Sequence, residues 1–90
     1  MLHTYNPFTG NLIESYTEHS DHEIELIIDN QNFRFNSWKK TELTERCRLI
    51  GRLGKILQKE QQSFATLITS EMGKPVKESL AEVAKCAWLC

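Results

Sequence analysis

This ninety-residue sequence has almost no net charge, no long apolar run, no glycine-rich loop and no even set of cysteines. Eleven lysines and arginines face twelve acidic residues, leaving −1. That balance gives no long-range pull toward nucleic acid or an anionic membrane. No apolar run approaches the ~20 residues that span a bilayer. Met1-Leu2-His3-Thr4-Tyr5-Asn6-Pro7 has no basic flank and no apolar core, so it does not read as a signal peptide. Three cysteines is an odd number without the spacing of a disulfide framework. They read as reduced thiols of a cytoplasmic protein. A chain this short makes one small domain, marginal in stability without help. Its 40% hydrophobic content is ordinary for a globular protein.

What is present reads as mostly helical, with a short strand and turn in front. Asn6-Pro7-Phe8-Thr9-Gly10 is a turn: proline presets one corner and Gly10 can take positive φ. Leu12 to Thr17 is rich in β-branched and aromatic residues, which predicts a strand over about 11–18. It pairs either with the residues before Asn6 or with a sheet elsewhere. Ser20-Asp21-His22-Glu23 is a capping box opening a helix over about 21–35, with Ile24, Ile27 and Ile28 on one face. Asn36 and Ser37 end it, and Phe33, Phe35 and Trp38 are read as core or joint packing.

A second helix covers about 42–60. Thr41 or Thr44 caps it, and Leu43, Cys47, Ile50, Leu53 or Gly54, and Leu57 form an apolar stripe. Gly51 and Gly54 inside it suggest close approach of another backbone. Arg46, Arg48, Arg52, Lys55 and Lys59 make this helix basic, but Glu42, Glu45 and Glu60 lie nearby, so it reads as a solvated mixed face. Gln61-Gln62-Ser63 is a break, with Ser63 a cap, before a third helix over about 63–72 with Phe64, Leu67, Ile68 and Met72 on one face. Gly73 suits a left-handed helix end and Pro75 the first turn of a fourth helix, about 75–90. That helix carries Val76, Leu80, Val83, Ala84, Ala87 and Trp88. It runs to Cys90 in apolar, helical phase without a stop signal, the pattern of a chain cut in mid-helix.

Few residues qualify as chemical candidates. Cys86 and Cys90 sit four apart on one helix face, but zinc needs two more ligands, and His3, His19 and His22 are far off and poorly spaced. Cys47, Cys86 and Cys90 are read as small core residues, and the histidines as solvent-facing turn residues. Lys74 lacks the glycine-rich loop of a phosphate lysine, and its simplest partner is Glu71. No catalytic, cofactor-binding or metal-binding residue is assigned.

One set of strings does point to a family. Leu67-Ile68-x-x-Glu71-Met72-Gly73-Lys74-Pro75, followed by Glu82-Val83-Ala84-Lys85, resembles the N-terminal region of the aldehyde dehydrogenases. The run is closest to the succinate-semialdehyde type. Asn6-Pro7-Phe8-Thr9-Gly10, Phe35-x-x-Trp38 and Glu45-Arg46 fall in the same order, so the resemblance spans the chain. It implies the first part of an α/β, Rossmann-type domain that binds NAD or NADP. In that family a cysteine thiolate attacks the aldehyde, a hydride passes to the nicotinamide, and water activated by a glutamate hydrolyses the thioester. Those groups belong to segments beyond Cys90, and none of the three cysteines matches the nucleophile's motif. The resemblance also implies positions for a monovalent cation: the carbonyls of Thr4 and Tyr5, and Glu71, where ion-holding relatives often have aspartate.

Two functions follow as expectations. The first is the N-terminal fragment of an NAD(P)-dependent aldehyde dehydrogenase, inactive alone, whose partner is the remainder of the enzyme chain. The second is a free-standing helical interaction module whose exposed apolar faces favour self-association or partner binding. Neither involves nucleic acid or a membrane.

Overall fold

Gly10 and Gly73 are the two residues with positive φ, at 75° and 69°, and each turns the chain where the sequence marked a corner. The structure is a computed structural model describing residues 1–90. Its order is β1 (Leu2–Tyr5), β2 (Leu12–Tyr16), α1 (Asp21–Trp38), α2 (Leu43–Lys59), α3 (Gln61–Met72) and α4 (Val76–Leu89). The mostly helical architecture with a short N-terminal sheet matches expectation. No helix is long and apolar enough to cross a membrane.

β2 pairs antiparallel with β1, which decides between the two partners the sequence left open. Leu2 faces Tyr16, His3 faces Ser15, Thr4 faces Glu14 and Tyr5 faces Leu12, so Ile13 is the extra residue of a bulge. The loop is built by Asn6. Its side-chain oxygen accepts from the Phe8 and Thr9 amides at 2.8 and 3.2 Å, an Asx turn. Its carbonyl accepts from the Gly10 amide at 2.7 Å, and its own amide donates to Asn11.

The capping box forms as expected. The Ser20 hydroxyl accepts from the Glu23 amide at 3.3 Å, and the Glu23 carboxylate accepts from the Ser20 amide at 2.7 Å. α1 then runs past Asn36 and Ser37 to Trp38. Both polar residues are exposed, so water takes up their side chains and they do not compete with the helical ladder. α1 buries none of its residues. Phe33 is 75% exposed and Phe35 58%, so neither is core; Trp38, at 40%, lines a groove with Leu43 of α2 and Leu89 of α4, a place at the joint rather than in a core.

Ser20→Ala removes the cap and costs α1 about 1 kcal/mol, read as faster amide exchange in its first turn. Acid acts on the same device. The Ser20 amide and then its hydroxyl hold the Glu23 carboxyl below its ordinary 4.5. A lowered carboxyl contributes fully above the unfolded value and loses that contribution as pH falls through the folded one. Helicity at the start of α1 therefore falls on acidification below 4.5, and Ser20→Ala, which keeps the amide bond to Glu23 but loses the hydroxyl one, shows a smaller pH step.

The other helix ends depart from the expected caps. α2 starts after Glu42, with no side-chain cap from Thr41 or Thr44. The Glu42 carbonyl accepts instead from the Glu45 and Arg46 amides. The expected break at 61–63, with Ser63 as cap, shrinks to Glu60 alone. That residue's amide still bonds Ile56 while its carbonyl takes the Phe64 amide. α3 ends on Gly73, whose amide donates to Thr69 at 2.9 Å. Pro75 stands at the N-cap of α4, one position before the expected first turn, and its carbonyl accepts from Glu78 and Ser79.

α4 packs against both α2 and α3. The seam is made of small residues: Gly54 on α2, Ala65 on α3, and Ser79, Val83 and Ala87 on α4 are the five buried positions. Small side chains let the axes come close, but they bury little apolar area. The molecule measures 47 × 37 × 14 Å. Fourteen ångströms is little more than one helix diameter of about 10–12 Å, so the helices form a single layer. The radius of gyration is 17.2 Å, against roughly 12 Å for a compact domain of this length.

Candidate functional site

The strongest polar convergence surrounds the joint between α3 and α4. Gly73 turns the chain there, and Pro7 of the hairpin loop lies against it: a Cβ on Gly73 would sit 2.9 Å from the Pro7 Cγ. Lys74 does not pair with Glu71. It reaches along α4 to Glu82 at 2.7 Å, because the turn at Gly73 and Pro75 redirects it. Behind the joint, the hydroxyls of Thr69 and the fully buried Ser79 share a 2.9 Å hydrogen bond. A shallow hollow of about 400 Å³ opens between Asn6, Phe8, Thr66, Ser70 and Lys74. Ser79→Ala leaves the Thr69 hydroxyl without its buried partner and costs about 1 kcal/mol, read as a lower urea midpoint.

Two apolar grooves flank α4. One, of about 560 Å³, lies between Leu57, Phe64, Leu67, Ile68, Val83, Cys86 and Leu89, with Glu82 and Lys85 on its rim. The other, of about 500 Å³, is lined by Trp38, Leu43, Arg46, Cys47, Ile50, Leu89 and Cys90. These are the faces that periodicity marked for burial, and here they are open.

The three thiols are therefore exposed rather than core. Alanine, serine, valine and glycine occupy the seam, and the cysteines fall on its edges. His3 shares a 2.9 Å hydrogen bond with Ser15 across the hairpin, while His19 and His22 are exposed around the start of α1. Histidine, cysteine and acidic residues nowhere gather in threes. The mixed charges of α2 form one pair, Arg48 to Glu45 at 2.6 Å. Arg48 holds the Glu45 carboxyl below its usual range and is itself raised by it.

The groups implied by the resemblance can be tested against these residues. A dinucleotide cradle needs a glycine-rich turn from a parallel strand into a helix. The strands here are antiparallel, Gly51 and Gly54 lie inside α2, and Gly73 closes α3. The residues present do not fit NAD or NADP. For the cation, Thr4 is half-buried with an unpartnered hydroxyl and Glu71 is half-buried on the last turn of α3. Two carbonyls and one carboxylate fall short of a hard cation's shell of about six oxygens, so these positions do not complete a site.

Ser79 and the unpartnered Arg46 Nε went unmarked in the sequence. A serine at the right phase of the α4 stripe, with a threonine ten residues before it, was the available signal for the first. None existed for the second.

Comparison with known proteins supplies what the geometry does not. The aldehyde dehydrogenase family model matches residues 1–90. A Synechocystis protein named "Probable succinate-semialdehyde dehydrogenase", NADP(+)-type, is 32% identical over 87 residues, 97% of this chain and 19% of its own length. A succinate semialdehyde dehydrogenase (NAD(P)+) of Escherichia coli K12 is 34% identical over 85 residues, 94% of this chain and 18% of its own. A succinate-semialdehyde dehydrogenase (NADP(+)) of Mycobacterium leprae is 32% identical over 84 residues, 93% of this chain and 18% of its own. The chain thus spans less than a fifth of the length of the curated relatives it matches. With the family model matched from Met1 to Cys90, the chain belongs to the aldehyde dehydrogenase family.

Proposed function

We infer that these ninety residues are the N-terminal segment of an NAD(P)+-dependent aldehyde dehydrogenase oxidising succinic semialdehyde to the acid. The segment contributes the hairpin and outer helices of the cofactor-binding domain and does not catalyse alone. The observation that carries this is a family match over the whole chain alongside a span of 18–19% of each relative. The substrate follows the relatives' names, as does the cofactor. Three exposed, unpaired thiols suit a reducing cytoplasm. In this reading the two grooves beside α4 are faces that the remainder of the enzyme covers.

The test is an assay of the purified ninety-residue chain with succinic semialdehyde and either nucleotide. No reduced nucleotide is expected. A rate abolished by Cys47→Ala, Cys86→Ala or Cys90→Ala would sink the reading. The gene past the Cys90 codon is expected to stay open into a glycine-rich strand-to-helix turn and a cysteine loop.

The open apolar grooves also favour a second reading, a helical module that binds other proteins through them. Sizing separates the two. A concentration-independent monomer with a sharp thermal transition supports the module. Aggregation or a molten melt supports the enzyme segment.

A further inference from the structure

Cys86 and Cys90 are both exposed and unpaired. They stand four residues apart at the end of α4, and the turn between them is closed: the Cys90 amide donates to the Cys86 carbonyl at 3.3 Å. A closed turn sets their Cβ atoms about 5–6 Å apart on one face. Side chains on a helix lean toward its N-terminus, which directs the Cys90 thiol back over the turn that carries Cys86.

That width decides what the pair can do. A disulfide needs Cβ atoms about 3.8 Å apart, so joining the sulfurs directly would unwind the turn. One ion held between two thiolates by bonds of about 2.3 Å needs the sulfurs about 4.6 Å apart, which small side-chain rotations supply. No further ligand joins them. Histidine, cysteine and acidic residues do not gather in threes, and Glu82, one turn before Cys86, is held by Lys74 at 2.7 Å. Zinc wants four ligands, and calcium and magnesium want oxygen. Two thiolates alone suit a soft ion content with two ligands, Cu(I).

We propose that Cys86 and Cys90 form a two-coordinate site for Cu(I), clipped across the last turn of α4. On binding, each thiol gives its proton to solvent and a sulfur lone pair to the ion, with no change of oxidation state. The product carries a single negative charge, which Lys85, on the same groove as Cys86, offsets. The inference rests on these two thiols, not on the identity of the parent enzyme.

The test is a titration of Cu(I), kept reduced under argon, into the chain in competition with bicinchoninate. The unaltered chain is expected to withdraw one equivalent, with its size unchanged by the metal. Cys47→Ala should match it. Cys86→Ala and Cys90→Ala should each bind about a hundredfold more weakly, because the second sulfur acts at a high effective concentration. In the unaltered chain, exchange of the Cys90 amide should slow on binding, since the ion staples the turn that this amide closes. This readout does not depend on any variant folding. Full affinity in Cys86→Ala or Cys90→Ala overturns the proposal, as does lost affinity in Cys47→Ala. Equal, weak binding by all four chains means copper scattered over separate thiols and overturns it too. Association on adding copper, or an unslowed Cys90 amide, shows that the ion does not bridge the turn. Zinc that stays with the chain through desalting would assign a site with more ligands and overturn the choice of ion.

Discussion

Gly54→Val is expected to break the α2–α4 contact, costing about 3 kcal/mol and shifting the amide signals of α4 most where it now packs best. The argument is steric. A Cβ built on Gly54 lies 2.8 Å from the Cys90 Cβ and 3.2 Å from the Ala87 carbonyl oxygen. Neither neighbour is the free end of a flexible side chain, so the helices must move apart. Alanine already meets this clash, and its better helix propensity, worth up to about 1 kcal/mol, does not offset it. Gly51→Ala provides the control three residues away on the same helix. Nothing lies within 4 Å of its Cβ position, so the propensity gain of up to about 1 kcal/mol should appear as added stability. Urea midpoints that shift in the same direction for Gly51→Ala and Gly54→Ala would contradict the packing described for this seam.

Gly73→Ala has the second large effect, through two separate costs. The residue holds φ at 69° to end α3. An alanine there pays about 1–2 kcal/mol for the left-handed conformation. Its Cβ would also press on Pro7, 2.9 Å away, and push the hairpin loop off the joint. Gly73→Asn separates the costs, because asparagine tolerates positive φ but still carries a Cβ toward Pro7. Alanine should lower the urea midpoint more than asparagine, while both variants disturb the Pro7 proton signals. If asparagine leaves those signals unmoved, the hairpin is not seated on Gly73 as described.

The contrast between these glycines shows what could be read in the sequence. Ser20 with Glu23, and Gly73 with Pro75, announce themselves because each device acts within a few residues. The Asn6 turn is equally local, and the string that carries it also helps mark the family. Helix periodicity is different. It identifies which face of a helix could be buried, not whether anything is there to bury it. Ile24, Ile27, Ile28 and Phe35 therefore lie in solvent, although their spacing is that of a core face. The thiols were misplaced for the same reason. Lys74 chose Glu82 over Glu71 because the chain reverses between them, a fact set by backbone angles rather than spacing. The family was legible in strings of residues.

A single layer of helices also has a thermodynamic character of its own. The slope of unfolding free energy against denaturant, and the heat-capacity change, both follow the surface newly exposed when the chain opens. With only five buried residues, this chain conceals little that unfolding can reveal. Its urea transition should be shallow and its heat-capacity step small. α1, touching little, should melt before the seam around Val83 does. Whatever comes to lie on the grooves beside α4 would then add cooperativity as well as stability, turning a gradual melt into a sharp one.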